Sequence, residues 1–132
     1  MKITPETFRA YEENNPFMAY NHIEICTASP KCSVVQVTLQ PESRNLHGRA
    51  HGGLLYAMAD CVAGVAARAE GEDFVTQSAH INFLKNTDQG TIYAKATEVS
   101  RGRTLAVFQI EITDDRDRLL AAGTVDMFRR KP

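Results

Sequence analysis

Between Leu54 and Ala67 the chain is apolar except for one charged residue, Asp60, in a stretch rich in helix-favouring alanine, leucine and methionine. At helical spacing, Leu54, Leu55, Met58, Cys61, Val62, Val65 and Ala66 cover most of the circumference. A helix that is apolar nearly all round cannot lie on a surface, so it is expected at the centre of the fold with a sheet wrapped about it. Gly52-Gly53 open this run and Gly71 closes it.

The rest of the chain supplies that sheet. Phe74 to Leu84, Thr91 to Val99, Thr104 to Thr113 and Leu119 to Phe128 are rich in β-branched and aromatic residues. Short polar connectors separate them: Asp88-Gln89-Gly90, Ser100 to Arg103 and Asp114 to Asp117. Connectors of hairpin length predict that the last four strands are antiparallel neighbours in a meander. Upstream, Thr4-Pro5-Glu6 starts a short helix that Asn14-Asn15-Pro16 stops. Met18 to Cys26 and Ser33 to Leu39 read as a hairpin about Ala28 to Lys31, with Val35, Val37 and Leu39 on one face. Pro41 to Arg49 is irregular. The expectation is one α+β domain over residues 1–132, an antiparallel sheet around one long helix with a short N-terminal helix.

Fifteen basic against sixteen acidic residues give a formal charge of −1, without the basic excess that a nucleic-acid partner requires. The N-terminus lacks an apolar signal core, and Asp60 interrupts the longest apolar stretch, so neither export nor membrane insertion is expected. Cys26, Cys32 and Cys61 make an odd count outside a secretory context, which favours reduced thiols and a cytoplasmic location. Cys26 and Cys32 could oppose each other across the hairpin, but no further ligands accompany them at metal-site spacing, so no metal is expected.

The chemistry concentrates in Asn45-Leu46-His47-Gly48-Arg49-Ala50-His51-Gly52-Gly53 and in Asp60. Two glycines at a helix start let a ligand approach the backbone, where unpaired amides and the helix dipole favour negative charge; such a place holds an oxyanion. A plain glycine turn before a helix is the simpler alternative, with His51 as a cap or filler. Asp60 argues against it, because an acid in an otherwise apolar helix needs a partner or a function. The structural alternative is an ion pair with Arg49 or Arg103. Gly64, one turn beyond Asp60, leaves room for substrate or a second helix. Nine helical residues place Asp60 roughly 13 Å from His51, too far to share a reacting atom within one chain. An isologous two-fold dimer removes the difficulty by setting the helix start of one subunit beside Asp60 of the other.

Asn45, His51-Gly52-Gly53 and Asp60, with Ser78 in the next strand, Gly102-Arg103-Thr104 in a later hairpin and Asn15-Pro16-Phe17 before the first strand, resemble the phenylacetate-type (PaaI-like) hotdog thioesterases over nearly the whole chain. The resemblance implies a hotdog fold and hydrolysis of an acyl-coenzyme A to a carboxylic acid and free thiol. It implies Asp60 as general base or nucleophile from the opposite subunit, the Gly52 amide as oxyanion donor, Asn45 as a thioester-positioning group and His51 as local support. Ser78 matches a hydroxyl that orients water. Gly102, Arg103 and Thr104 match a segment near the coenzyme A arm, with Gly53 and Gly64 bordering the substrate.

An already activated thioester suits a carboxylate plus preorganised amides without a serine triad, metal or other cofactor; coenzyme A belongs to the substrate. No Gly-x-Ser-x-Gly elbow or Walker lysine is present. Cys61 reads as core packing, and His22, His47 and His80 as structural or exposed. The competing function is a non-catalytic acyl-coenzyme A binding or sensing module; a hydratase would need a different acid and histidine arrangement. A homodimer or dimer of dimers is expected.

Overall fold

The computed structural model describes residues 1–131. Two short helices, α1 (Phe8–Glu13) and α2 (Pro16–Tyr20), precede the strands β1 (Glu24–Thr27) and β2 (Cys32–Thr38). A 3-10 turn (Pro41–Ser43) leads to the long helix α3 (Gly52–Arg68), and β3 (Phe74–Phe83), β4 (Thr91–Arg101), β5 (Leu105–Thr113) and β6 (Leu119–Arg129) follow. The six strands form one antiparallel sheet in the order β1-β2-β4-β5-β6-β3. This is the hotdog arrangement: the sheet curls around α3, whose Met58, Ala59, Val62, Ala63, Val65 and Ala66 are fully buried. Ala94, Ala96, Ala106 and Ala121 on the sheet are buried as well, and their small side chains let the helix come close.

Two expectations need correction. Met18 to Tyr20 is helical, because the Asn15 side chain accepts a hydrogen bond from the Met18 amide (3.3 Å) and Pro16 occupies the first turn. The signal that stops α1 therefore starts α2, and β1 shrinks to Glu24–Thr27. Nor do the last four strands form a sequential meander: β3 pairs with β6, and only β4-β5-β6 are successive neighbours. Residues 84–90 carry the chain across instead. Seven extended residues reach up to about 23 Å, more than the roughly 14 Å of three strand spacings. The crossing is pinned where the Leu84 and Lys85 amides donate to the Leu120 carbonyl, the Ala50 amide to Thr87 and the Leu39 amide to Gly90.

At the far end of α3 the Arg101 guanidinium donates to the carbonyls of Ala66 (3.2 Å) and Ala67 (3.4 Å), and pairs with Glu98 and Glu72. A cation there satisfies orphan carbonyls and complements the helix dipole. The helix is fixed to the sheet at this end, which sets the height of every side chain along it.

Candidate active site

Helix α3 begins at a site with one free donor. His51 is the cap residue, and its extended backbone (φ −69°, ψ 134°) turns the ring back so that Nδ1 accepts from the Gly53 amide at 2.8 Å. The His51 carbonyl accepts from the Leu54 and Leu55 amides at 2.9 and 3.3 Å. Of the opening amides only that of Gly52 makes no hydrogen bond among the described residues. Gly53 has to lack a side chain, because a Cβ would sit 2.9 Å from His51 Nδ1; at Gly52 a Cβ would meet only the Phe83 ring at an ordinary 3.7 Å. His51 is thus a cap, as the simpler alternative had it, and it leaves the Gly52 N–H as the one opening amide without an acceptor among the described residues.

Asn45 shapes the loop that delivers His51. Its Oδ1 accepts from the amides of His47 (2.9 Å) and Arg49 (3.1 Å), while its carbonyl accepts from Gly48, whose φ of +75° suits glycine. That side-chain oxygen is occupied within the loop, so any role of Asn45 toward a thioester begins with holding the backbone.

Asp60 lies eight residues beyond Gly52 on an unbroken helix, about 12 Å away. It is half-buried rather than buried, and it forms no ion pair among the described residues; the alternatives with Arg49 and Arg103 are not realised. Its partner is Thr76, whose hydroxyl donates to Asp60 Oδ1. Ser78, by contrast, donates to Asp126 Oδ2 at 2.9 Å on the sheet face turned away from α3. Within one chain the hydroxyl that reaches Asp60 is thus that of Thr76, while Ser78, expected to orient water, is engaged by Asp126. A bulge causes the difference: Thr76 aligns with buried Met127 and Ser78 with its neighbour Asp126, leaving Gln77 as the extra residue. Nothing in the sequence singles out Thr76, because a lone threonine in a strand carries no signal of its own.

Next to Asp60, burial above all and then the Asp60 charge push the Cys61 thiol up to about 12. It stays protonated at neutral pH, which suits packing and not nucleophilic attack. Gly64 does not leave room for a substrate: the Arg68 guanidinium lies over it, donating to the Phe74 carbonyl (3.0 Å) and the Tyr11 hydroxyl (2.8 Å). The Gly102-Arg103-Thr104 turn is exposed and closed by the Gly102 amide on the Leu105 carbonyl (2.7 Å). It stands at the Arg101 end of α3, remote from Gly52 in the same chain, as a helix of 17 residues spans roughly 24 Å between its end residues.

A sheet curled about a helix that carries a carboxylate at mid-length and a glycine amide at its start has the groups that a hotdog-fold hydrolase requires. The comparisons agree: the model of the Thioesterase superfamily matches residues 47–121, more than half of the chain, and the chain belongs to that superfamily. Among its relatives, the acyl-coenzyme A thioesterase PaaI of Escherichia coli (strain K12) is 29% identical over 123 residues, covering 92% of this chain and 84% of that protein. The solved E. coli PaaI structure superposes with a TM-score of 0.87 at 26% identity, covering 96% of this chain and 92% of that one. A hypothetical thioesterase protein from Streptococcus pneumoniae TIGR4, solved with coenzyme A, gives a TM-score of 0.81 at 29% identity over 89% of this chain and 95% of its own. That thioesterase has also been solved with alanine replacing an aspartate and, separately, a threonine. The two replaced positions are 16 residues apart, the separation of Asp60 and Thr76 here.

Proposed function

We propose that this protein hydrolyses an acyl-coenzyme A thioester to a carboxylic acid and free coenzyme A. The observation that carries the reading is the pairing of one unclaimed helix-start amide, Gly52, with a carboxylate held by a hydroxyl, Asp60 with Thr76, on the same helix. Asp60 acts as general base on water or as nucleophile on the carbonyl carbon, and the Gly52 N–H takes up the charge that develops on oxygen. Arg103 in its exposed turn supplies a cation to the phosphate-bearing arm.

Because about 12 Å separates Gly52 from Asp60 along α3, the site is completed by a second copy. Strand β3 is one edge of the sheet, ten residues long against four for β1 at the other edge, and among the described residues it pairs only with β6. An exposed edge of this length is a template for a further strand. Two β3 edges paired antiparallel across a two-fold continue the sheet and bring the helices side by side in opposite directions. Gly52 of one subunit then faces the partner subunit's Asp60, and the exposed Gly102 turn approaches the same cleft. A homodimer, alone or paired into a tetramer, is the working form. No helix among the described residues is long and apolar enough to cross a membrane, and we place the protein in the cytoplasm.

The test is release of thiol from a panel of acyl-coenzyme A substrates. Asp60→Asn should remove most turnover, on the order of 10²-fold or more, with unchanged circular dichroism. Mixing Asp60→Ala with Gly52→Pro subunits should restore part of the activity. Binding of acyl-coenzyme A without thiol release would favour a sensor, and no rescue in verified heterodimers would reject the shared site.

A further inference from the structure

One ridge of α3 runs along the edge strand β3 in the opposite direction, contact by contact. A Cβ at Gly52 would meet the Phe83 ring at 3.7 Å, the Tyr56 hydroxyl donates to the Ala79 carbonyl at 3.0 Å, the Thr76 hydroxyl donates to Asp60, and Arg68 donates to the Phe74 carbonyl at 3.0 Å. Gly52, Tyr56 and Asp60 are spaced by four residues, which places them one above the other on that ridge. Tyr56 takes no part in the hydrolytic chemistry, yet it stands one turn from both groups that do. It is also 41% exposed although its side chain is large and aromatic. Since its hydroxyl is engaged by Ala79, the ring is what it offers to a neighbour.

We propose that Tyr56 lies on the two-fold axis of the dimer, where its ring meets the partner subunit's Tyr56 and the two together form the wall between the hydrolytic sites. The inference rests on the shared-site reading above and deepens it. The helix supplies the first argument: if Gly52 faces the partner subunit's Asp60 across antiparallel helices, the residue midway between them, Tyr56, must face its own copy. The strand supplies a second, independent one. Two β3 edges paired along their whole length place the axis at the middle of the strand, beside Ser78 and Ala79. The hydrogen bond from Tyr56 to Ala79 sets these two midpoints at the same height, so a single axis satisfies both conditions. Each site then lies one helical turn, about 6 Å, from the axis, with a Tyr56 ring from each subunit on its inner border. The paired rings bury apolar surface that one chain leaves exposed and keep each thioester within its own site. Tyr56 is thus a positioning residue, supplied to each site by both subunits.

The experiment measures dimer dissociation by analytical ultracentrifugation for Tyr56→Glu, for Tyr56→Lys and for their equimolar mixture. On the axis a substituted residue meets its own copy, so like charges face each other in each variant alone and opposite charges meet only in the mixture. Each variant alone should dissociate about tenfold more readily than wild type or worse, and the mixture should recover both the dimer and thiol release. Circular dichroism checks that the separate variants are folded. A second measurement does not depend on weakening the dimer: in a chain with Cys26, Cys32 and Cys61 replaced by alanine, a short bis-maleimide should join Tyr56→Cys to its own copy. Asp60→Cys should not be joined in this way, since its two copies stand about 12 Å apart along the paired helices. A mixture that associates no better than the separate variants, or self-linking at Asp60→Cys and not at Tyr56→Cys, would overturn the assignment. Recovery in the mixture and self-linking at Tyr56→Cys, in a wild type that releases no thiol from any acyl-coenzyme A, would uphold the axis and reject the hydrolase.

Discussion

Replacing Gly52 by proline separates the amide from the fold. Proline removes one N–H, and at the first helical position that N–H has no partner in the helix. Here the Gly53, Leu54 and Leu55 amides are already engaged by His51, so Gly52 is the sole opening donor lost and no neighbour is free to replace it. The residue before a proline must be extended, and His51 already is, at φ −69° and ψ 134°. Near the new ring lies Phe83, whose Cε1 stands 3.7 Å from where a Cβ would be. Gly52→Pro should therefore fold as well as wild type or slightly better, since the substitution removes about 0.4–1 kcal/mol of unfolded-state freedom. Its kcat should fall by about 10²–10³-fold, or roughly 2.7–4 kcal/mol, as for loss of one oxyanion donor. Thiol release under saturating substrate measures this, thermal melting verifies the fold, and Gly52→Ala, which keeps the N–H, should lose far less. A folded Gly52→Pro protein with kcat within threefold of wild type would refute the oxyanion assignment.

Thr76→Val removes the hydroxyl that donates to Asp60; a hydrogen bond to a charged group is worth about 1.5–3 kcal/mol, so kcat should fall about 10- to 100-fold, with Thr76→Ser restoring most of it and Ser78→Ala close to wild type. Equal losses from Thr76→Val and Ser78→Ala would show that both hydroxyls serve the site. Because burial raises the Cys61 thiol from 9.0 to about 12, the folded state holds this proton more tightly than the unfolded chain does. That contribution is complete below pH 9.0 and is lost as the pH rises toward about 12; melting curves at pH 8 and pH 10.5 should show a smaller alkaline drop in Cys61→Ala than in wild type. Gly123→Ala would drive a Cβ into the His80 carbonyl on β3, forcing β3 from β6; denaturant titration should show a loss of about 1–3 kcal/mol, with a weaker dimer by sedimentation.

Much of the fold is local in origin and was legible in the residues. The apolar circumference of α3, the glycines and histidine at its start, and the alternation of Val35 with Val37 follow from periods of 3.6 and 2 that neighbouring residues impose on one another. From these came the central helix, the strands, the cap at His51 and the isolation of Asp60 in an apolar helix. The placement of β3 was not legible, because a connector of hairpin length also reaches across two strands when extended. Likewise, nothing in the residues from Thr76 to Ser78 announces the bulge at Gln77 that turns one hydroxyl toward Asp60 and the other toward Asp126. The same holds for Gly64, whose vacancy is filled by Arg68 from one turn away, anchored by Tyr11 and Phe74. A chain writes its periodicities in consecutive residues, whereas strand order, face parity after a bulge and the occupant of a gap depend on contacts between distant segments. Those were decided when the sheet closed around the helix.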